Sequence, residues 1–236
     1  MATAAHVIAQ REVTDLKVMV RRDSSERALL NIKDLGHQGG GRWDALDIGW
    51  LEVESEQGVL SLPAGRVLLA DRLDQKGVSV VVGSPYDRMQ LVRTAESTIF
   101  PAVDLTTTAL VQQLGFATNP ADPSTWPSNT SVSYTPELHR LLEYTEVLDA
   151  KTQRPLGLID PAGMSGGGIW MVPVQSDRSL WSADRAVLAG IQVGVLKGQR
   201  LLTGIRMRPW LEMMRQTHPE LLEAIEQLAV QSSEWR

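Results

Sequence analysis

Glycine and proline cut the first hundred residues of this chain into short β-rich runs. Val13 to Val20, Ala28 to Ile32, Ile48 to Val53, Val78 to Val82 and Gln90 to Ala95 are rich in strand-forming residues or alternate apolar with polar. Between them stand Gly36, Gly39-Gly40-Gly41, Gly58, Pro63-Ala64-Gly65, Gly83 and Pro85, residues that set turns and break elements. Many short strands at such spacing, with no helices alternating between them, predict an all-β barrel or sandwich. Later in the chain Ile169 to Val172, Ala186 to Leu196 and Arg200 to Arg206 are further strand runs. The Lys197-Gly198-Gln199 gap between the last two suits a tight hairpin in which Gly198 supplies a positive φ. Residues 115–136 carry four prolines among Ser, Thr and Asn and read as a long surface loop. Asp104 to Leu114 reads as a short helix, and Leu141 to Leu148 fits either helix or strand. The end of the chain changes period. Trp210, Leu211 and Met214, then Leu221, Leu222, Ile225, Leu228 and Ala229, follow helical spacing. Thr217 with Glu220 forms a capping-box pattern, and Pro219 falls in a first turn, where its missing N–H does no harm.

Composition narrows the function classes. The 236 residues suffice for one large core or two small ones. No apolar run approaches the length that spans a bilayer, and residues 1–20 hold no basic segment followed by an apolar one. There are no cysteines, which removes disulfides, thiolate metal sites and a cysteine nucleophile. Together these features lead us to expect a cytoplasmic protein without membrane contact. The net charge of -5 argues against nucleic acid as a partner; Arg21-Arg22 and Arg206-Met207-Arg208 read as solvated positions. The histidines show no metal-ligand spacing, so neither metal nor cofactor is expected.

The chemistry concentrates in Gly163-Met164-Ser165-Gly166-Gly167-Gly168. A serine in a glycine turn has its hydroxyl exposed, and backbone N–H groups beside it can hold the oxyanion formed when a carbonyl is attacked. A histidine with near-neutral pKa can take the serine's proton, and a carboxylate can orient that histidine. His6, in Thr3-Ala4-Ala5-His6, and Asp47, in Asp47-Ile48-Gly49-Trp50-Leu51, supply them in the order His, Asp, Ser. Asp44 competes with Asp47, but the apolar run follows Asp47. His37, His139 and His218 carry no comparable motif.

These three segments resemble the signature segments of the trypsin-like (chymotrypsin-fold) serine proteases, and the Met-Ser-Gly-Gly-Gly variant is most similar to bacterial trypsin-like peptidases. The resemblance covers residue 3 to about residue 212. It implies an all-β chain of two antiparallel six-stranded-type β-barrels followed by C-terminal helices. Residues 1–76 would carry His6, Asp47 and, over 55–76, the connection between barrels; 77–206 would carry Ser165; 207–236 would be a helical extension. It implies a serine endopeptidase acting on a polypeptide, with Ser165 as nucleophile, His6 as base and then acid, Asp47 as its orienter, and the N–H groups of Gly163 and Ser165 as oxyanion hole. Gln192, Val193 and Gly194 would bind substrate backbone, Gly204 would line the far wall, and Ile159 would sit at the base of the pocket, favouring apolar or small side chains before the cleaved bond. Asp160 in its place would favour Lys or Arg.

Only five residues precede His6, where the family builds strands of its first barrel. The first barrel is therefore expected to be incomplete at the N-terminus, or the sequence begins inside a longer chain. An incomplete barrel leaves strand edges for self-association or a partner to cover, and gives the alternative reading of an inactive, protease-like interaction module. Gly163-x-Ser165-x-Gly167 also matches a nucleophile elbow, with Ser165, Asp184 and His218 in the α/β-hydrolase order. That motif needs a helix directly after the serine, where this sequence places glycines and a strand.

Overall fold

The computed structural model describes residues 1–9, 17–21, 27–36, 38–54, 62, 66–68, 77–83, 114–128, 130–144, 147–148, 155–158, 160–173 and 186–233. Over these the chain is all-β, built of antiparallel sheets with a few short helices. The expected strand over 90–95, the expected helix over 104–114 apart from Leu114, which begins a strand, and the residues Ile159 and Asp184 lie outside the described residues. No helix among the described residues is long and apolar enough to cross a membrane.

The first sheet has the order β1-β5-β4, from Ala2–Ala4, Ile48–Glu52 and Gly39–Trp43. β1 is only three residues long, yet it is well anchored. Thr3 stands opposite Gly49, the Met1 amine donates to Leu51 O at 2.8 Å, and Leu51 N returns a bond to Met1 O at 2.9 Å. A short helix, α1 (Ala5–Ala9), follows directly. Gly39-Gly40-Gly41, which by sequence reads as punctuation, lies inside β4. The reason is close approach: a Cβ on Gly40 would stand 2.8 Å from Trp50 O, and one on Gly41 2.8 Å from Trp50 Nε1. Strands β2 (Lys17–Arg21) and β3 (Arg27–Asn31) form a separate hairpin sheet, Lys17 opposite Asn31.

The second sheet has six strands, in the order β7-β6-β11-β12-β13-β8. Their ranges are Gly77–Gly83 (β6), Leu114–Thr118 (β7), His139–Glu143 (β8), Gly168–Pro173 (β11), Val187–Leu196 (β12) and Leu201–Arg206 (β13). Two short strands, Val147–Leu148 (β9) and Pro155–Gly157 (β10), pair with each other. Several expectations need correction here. Residues 114–118 are strand rather than loop, and the chain leaves the ladder only as Pro120, Pro123 and Pro127 arrive. The run expected over 141–148 begins at His139 and stops at Glu143. Gly198 does not hold the positive φ of the hairpin: residues 197–199 form a 3-10 turn closed by Arg200 at φ 53°. Beyond β7 the chain runs along β8, with Glu143 N donating to Asn119 O and Ala121 N to Leu141 O, both at 2.9 Å.

Helix α2 (Met207–Thr217) leaves β13 without a break and packs Met213, with Trp210 and Met214, against Ile48, Trp50 and Ile205. It thus joins the two sheets. Thr217 does not cap the next helix. It remains in α2, and its hydroxyl donates back to Met213 O at 3.0 Å. A 3-10 turn from Pro219 leads into α3 (Leu222–Ser233). Inside the second sheet Val81, Leu142, Tyr144, Met164, Ile169 and Leu202 form one buried cluster.

Gly204 is central to that packing, because Ile169 Cδ1 occupies the place where a Gly204 side chain would begin. Gly204→Ala should therefore overpack the sheet and lower stability by roughly 1–3 kcal/mol. Adding Ile169→Val, which removes the Cδ1 methyl, should recover much of that loss; urea denaturation of the three variants checks it.

His139 is buried at the start of β8, edge-on to Tyr134 with centroids 5.1 Å apart, and its Nδ1 accepts the Thr135 N–H at 3.0 Å. Burial holds its pKa below the ordinary 6.5, partly opposed by the Thr135 carbonyl oxygen, 3.3 Å from Nδ1. The folded chain thus favours the neutral ring. This contribution is complete above pH 6.5 and is lost as pH falls below it, because the unfolded chain then takes up the proton first. The urea midpoint should fall between pH 7.5 and pH 5.5 less steeply in His139→Gln than in the wild type.

Candidate active site

Asp47 ends the 3-10 turn Asp44–Leu46 in a left-handed conformation, φ 53°, that Asp tolerates better than most residues. Its own N–H returns to Asp44 O at 3.1 Å, which fixes the turn. The carboxylate is thereby presented to α1. Asp47 Oδ1 accepts the His6 backbone N–H at 2.9 Å, and Oδ2 lies 2.7 Å from His6 Nδ1. Asp47 O accepts the Ala5 N–H at 3.0 Å. One acidic residue thus holds the histidine by its main chain and by its ring. With Nδ1 facing a carboxylate, the ring proton belongs on Nδ1, and Nε2 is left as the basic nitrogen. Asp44 plays no part in this: its carboxylate pairs with Arg42 at 3.0 Å on the surface.

The serine segment is a turn between Pro161 and β11. Gly163 and Gly166 take positive φ, 91° and 87°, values that residues with a Cβ rarely adopt. The N–H groups of Met164, Gly166 and Gly167 are engaged, donating to Pro161 O at 3.0 Å, Gln192 O at 2.8 Å and Met164 O at 2.8 Å. Among the described residues no backbone acceptor takes the N–H of Gly163 or Ser165. Met164 is 1% exposed and plugs the turn into the core of the second sheet, backed by Gly83. A Cβ on Gly166 would stand 2.5 Å from Thr3 Oγ1 and 3.5 Å from Ala4 N. The serine turn is thus pressed against β1, the strand that leads into His6. Ser165 is half-buried, and among the described residues its hydroxyl forms no hydrogen bond with His6.

The remaining expected residues fall in different places. Gln192 is buried beside the turn, and Val193 packs against the cluster of Ile48, Trp50, Ile205 and Met213. Gly194 has free space except for Thr203 Oγ1, 3.0 Å from a Cβ there. Gly204 is filled by Ile169 and lines no open wall. Asp160 is exposed: Oδ1 accepts the Ala162 N–H and Oδ2 pairs with Lys197 Nζ, both at 3.1 Å. The Ala162 N–H and then Lys197 hold its pKa below the usual carboxylate range. His218 Nε2 lies 3.0 Å from Glu52 Oε1, and its ring is edge-on to Trp50. Strand β11, not a helix, follows the serine turn, which excludes the nucleophile-elbow reading. Among the described residues no group of three or more His, Asp or Glu is placed to hold a metal.

Two contributors escaped the sequence reading. Thr3 touches the serine turn only because β1 forms, and three small residues give no strand signal. Met164 had a signal: it is the single large apolar residue within a run of glycines.

Comparison with models of known protein families and with curated protein sequences finds no match.

Asp47→Ala should remove both side-chain bonds to His6 and lower stability by roughly 1–3 kcal/mol. Asp44→Ala, which breaks only an exposed pair, should change it by no more than about 0.5 kcal/mol. Urea midpoints for the two variants compare them directly.

Proposed function

We propose that this protein is a serine endopeptidase in which His6, Asp47 and Ser165 act together. The observation that carries the reading is the Asp47–His6 pair at 2.7 Å, doubled by the main-chain bond at 2.9 Å. One carboxylate holds the histidine by its main chain and by its ring, and among the described residues His6 Nε2 has no hydrogen-bond partner. The serine turn, packed on the strand before His6 and with two N–H groups that take no backbone acceptor among the described residues, supplies the second support.

In the proposed reaction His6 Nε2 takes the Ser165 hydroxyl proton as Oγ bonds to the substrate carbonyl carbon. The oxygen of that carbonyl becomes an oxyanion facing the Gly163 and Ser165 N–H groups. His6 then returns the proton to the leaving amine, the C–N bond breaks, and water hydrolyses the acyl-serine by the same route. Asp47 stays ionised and holds the imidazolium. Hydrogen bonds between catalytic groups often tighten only when substrate binds, and the Ser165–His6 bond belongs to that step. The polypeptide would lie along β12 beyond the point where its ladder with β11 ends, at Ile191 opposite Gly168, and where Gln192 gives its N–H and carbonyl to the serine turn.

The two-barrel architecture is part of this proposal. For the second barrel it is supported by the bonds from Asn119 and Ala121 to β8, which link the two outermost strands of the six-stranded sheet. For the first, a three-stranded sheet holds His6 just after β1 and Asp47 just before β5, and an incomplete barrel is the basis of the competing reading as an inactive interaction module.

A fluorophosphonate probe and a peptide library separate the two. Wild-type protein should take the label and cleave peptides. Ser165→Ala should abolish labelling, and Asp47→Asn should lower kcat by roughly 10³–10⁴-fold. Absence of labelling in folded wild-type protein would favour the interaction module, and labelling that survives Ser165→Ala would place the nucleophile elsewhere.

A further inference from the structure

We infer that the side chain of Gln192 is a positioning element for extended substrates, stapling a bulge in β12 beside the nucleophile. The inference rests on the peptidase reading and names the part of the site that distinguishes a long substrate from a short one.

The main chain of Gln192 is committed to the serine turn: its N–H donates to Gly167 O and its carbonyl accepts the Gly166 N–H, both at 2.8 Å. Two residues on, the strand changes register. Gln192 stands opposite Gly204 but Gly194 stands opposite Thr203, so Val193 is an extra residue in the ladder. A bulge bends its strand and raises the local twist. Nothing in the β12–β13 ladder fixes that bend, and Gly194 brings no side chain to wedge it. The Gln192 side chain does so instead. It turns along its own strand, and Nε2 donates to Gly194 O at 3.0 Å, bridging Val193. Gln192 is 1% exposed and Gly194 half-buried, so the bond is partly shielded from water. Oε1 is buried as well, with no protein partner among the described residues, so the amide is held in place by its single donated bond and by packing.

The same residue therefore ties the turn that carries Ser165 to the bend that aims the following strand. A small electrophile needs only Ser165, His6 and the turn N–H groups. A peptide several residues long also needs β12 at a fixed angle to the turn. Loss of the staple should fall selectively on the second kind of substrate.

The test compares the full-length wild type with Gln192→Met, which keeps the length of the side chain and removes its donor, and with Gln192→Glu, which sets a carboxylate oxygen against Gly194 O. Leu202→Ala, a truncation in the buried cluster under the sheet, serves as the control for general destabilisation. Each is assayed on a tetrapeptide amide and on a single-residue ester, and is labelled with the fluorophosphonate. In Gln192→Met the ratio of kcat/KM for the peptide to that for the ester should fall about tenfold, chiefly through KM, as expected for one lost, partly shielded hydrogen bond. In Gln192→Glu it should fall further. In Leu202→Ala both substrates should decline together, leaving the ratio unchanged. A parallel decline in Gln192→Met, or an unchanged ratio, overturns this inference while leaving the peptidase reading intact. A folded wild type that takes no label overturns both.

Discussion

Strand β12 is the constraint on which the rest of the molecule depends. Its first half, Val187 to Ile191, is bonded to β11, and there Leu68 N donates to Leu188 O, drawing in the segment between the sheets; the ladder with β13 runs from Gly190 to the end of the strand. Midway, its partner on the β11 side changes from strand to turn as Gln192 takes over Gly166 and Gly167. In its second half Val193 packs against the cluster of Ile48, Trp50, Ile205 and Met213 that joins the two sheets. One continuous strand thus holds part of the core of the second sheet, the serine turn and part of the contact between sheets. The other bridge is α2, which follows β13 directly and places Met213 and Trp210 in the same intersheet cluster.

The geometry of the His6–Asp47 pair follows from that arrangement by short steps. Val193, Ile205 and Met213 bury Ile48, which pairs across the ladder with Ala4. Asp47 and Ala5 are then neighbours by register, and His6 comes next. The turn that presents Asp47 is local, but its direction is set by the burial of the residue after it.

What the sequence made legible were features that repeat or that carry rare residues. The β6, β11, β12 and β13 strands follow from apolar runs and turn residues. The pairing of Asp47 with His6 was approached through motif order rather than through any periodicity. Features made by contact stayed hidden. β1 is too short and too small in its side chains to declare itself, and β4 forms from three glycines because Trp50 leaves no room for a Cβ. The left-handed residue of the β12–β13 hairpin is Arg200 rather than Gly198, because the turn closes one 3-10 step later than a two-residue turn would. Gly204 looked like an open wall because a missing side chain is indistinguishable, in sequence, from a filled space.

The burial of Met164 has a consequence for how the serine turn responds to its surroundings. The turn is pinned by glycine dihedrals, by main-chain bonds to Pro161 and Gln192, and by one apolar side chain set among Val81, Leu142, Tyr144, Ile169 and Leu202; among the described residues no ion pair is made within it. Such an anchor is indifferent to ionic strength, and strongly hydrated salts reinforce it where they would screen a charge pair. It loses grip toward low temperature, as burial of apolar surface weakens on cooling. The turn is therefore built to hold its shape in brine and to slacken in the cold.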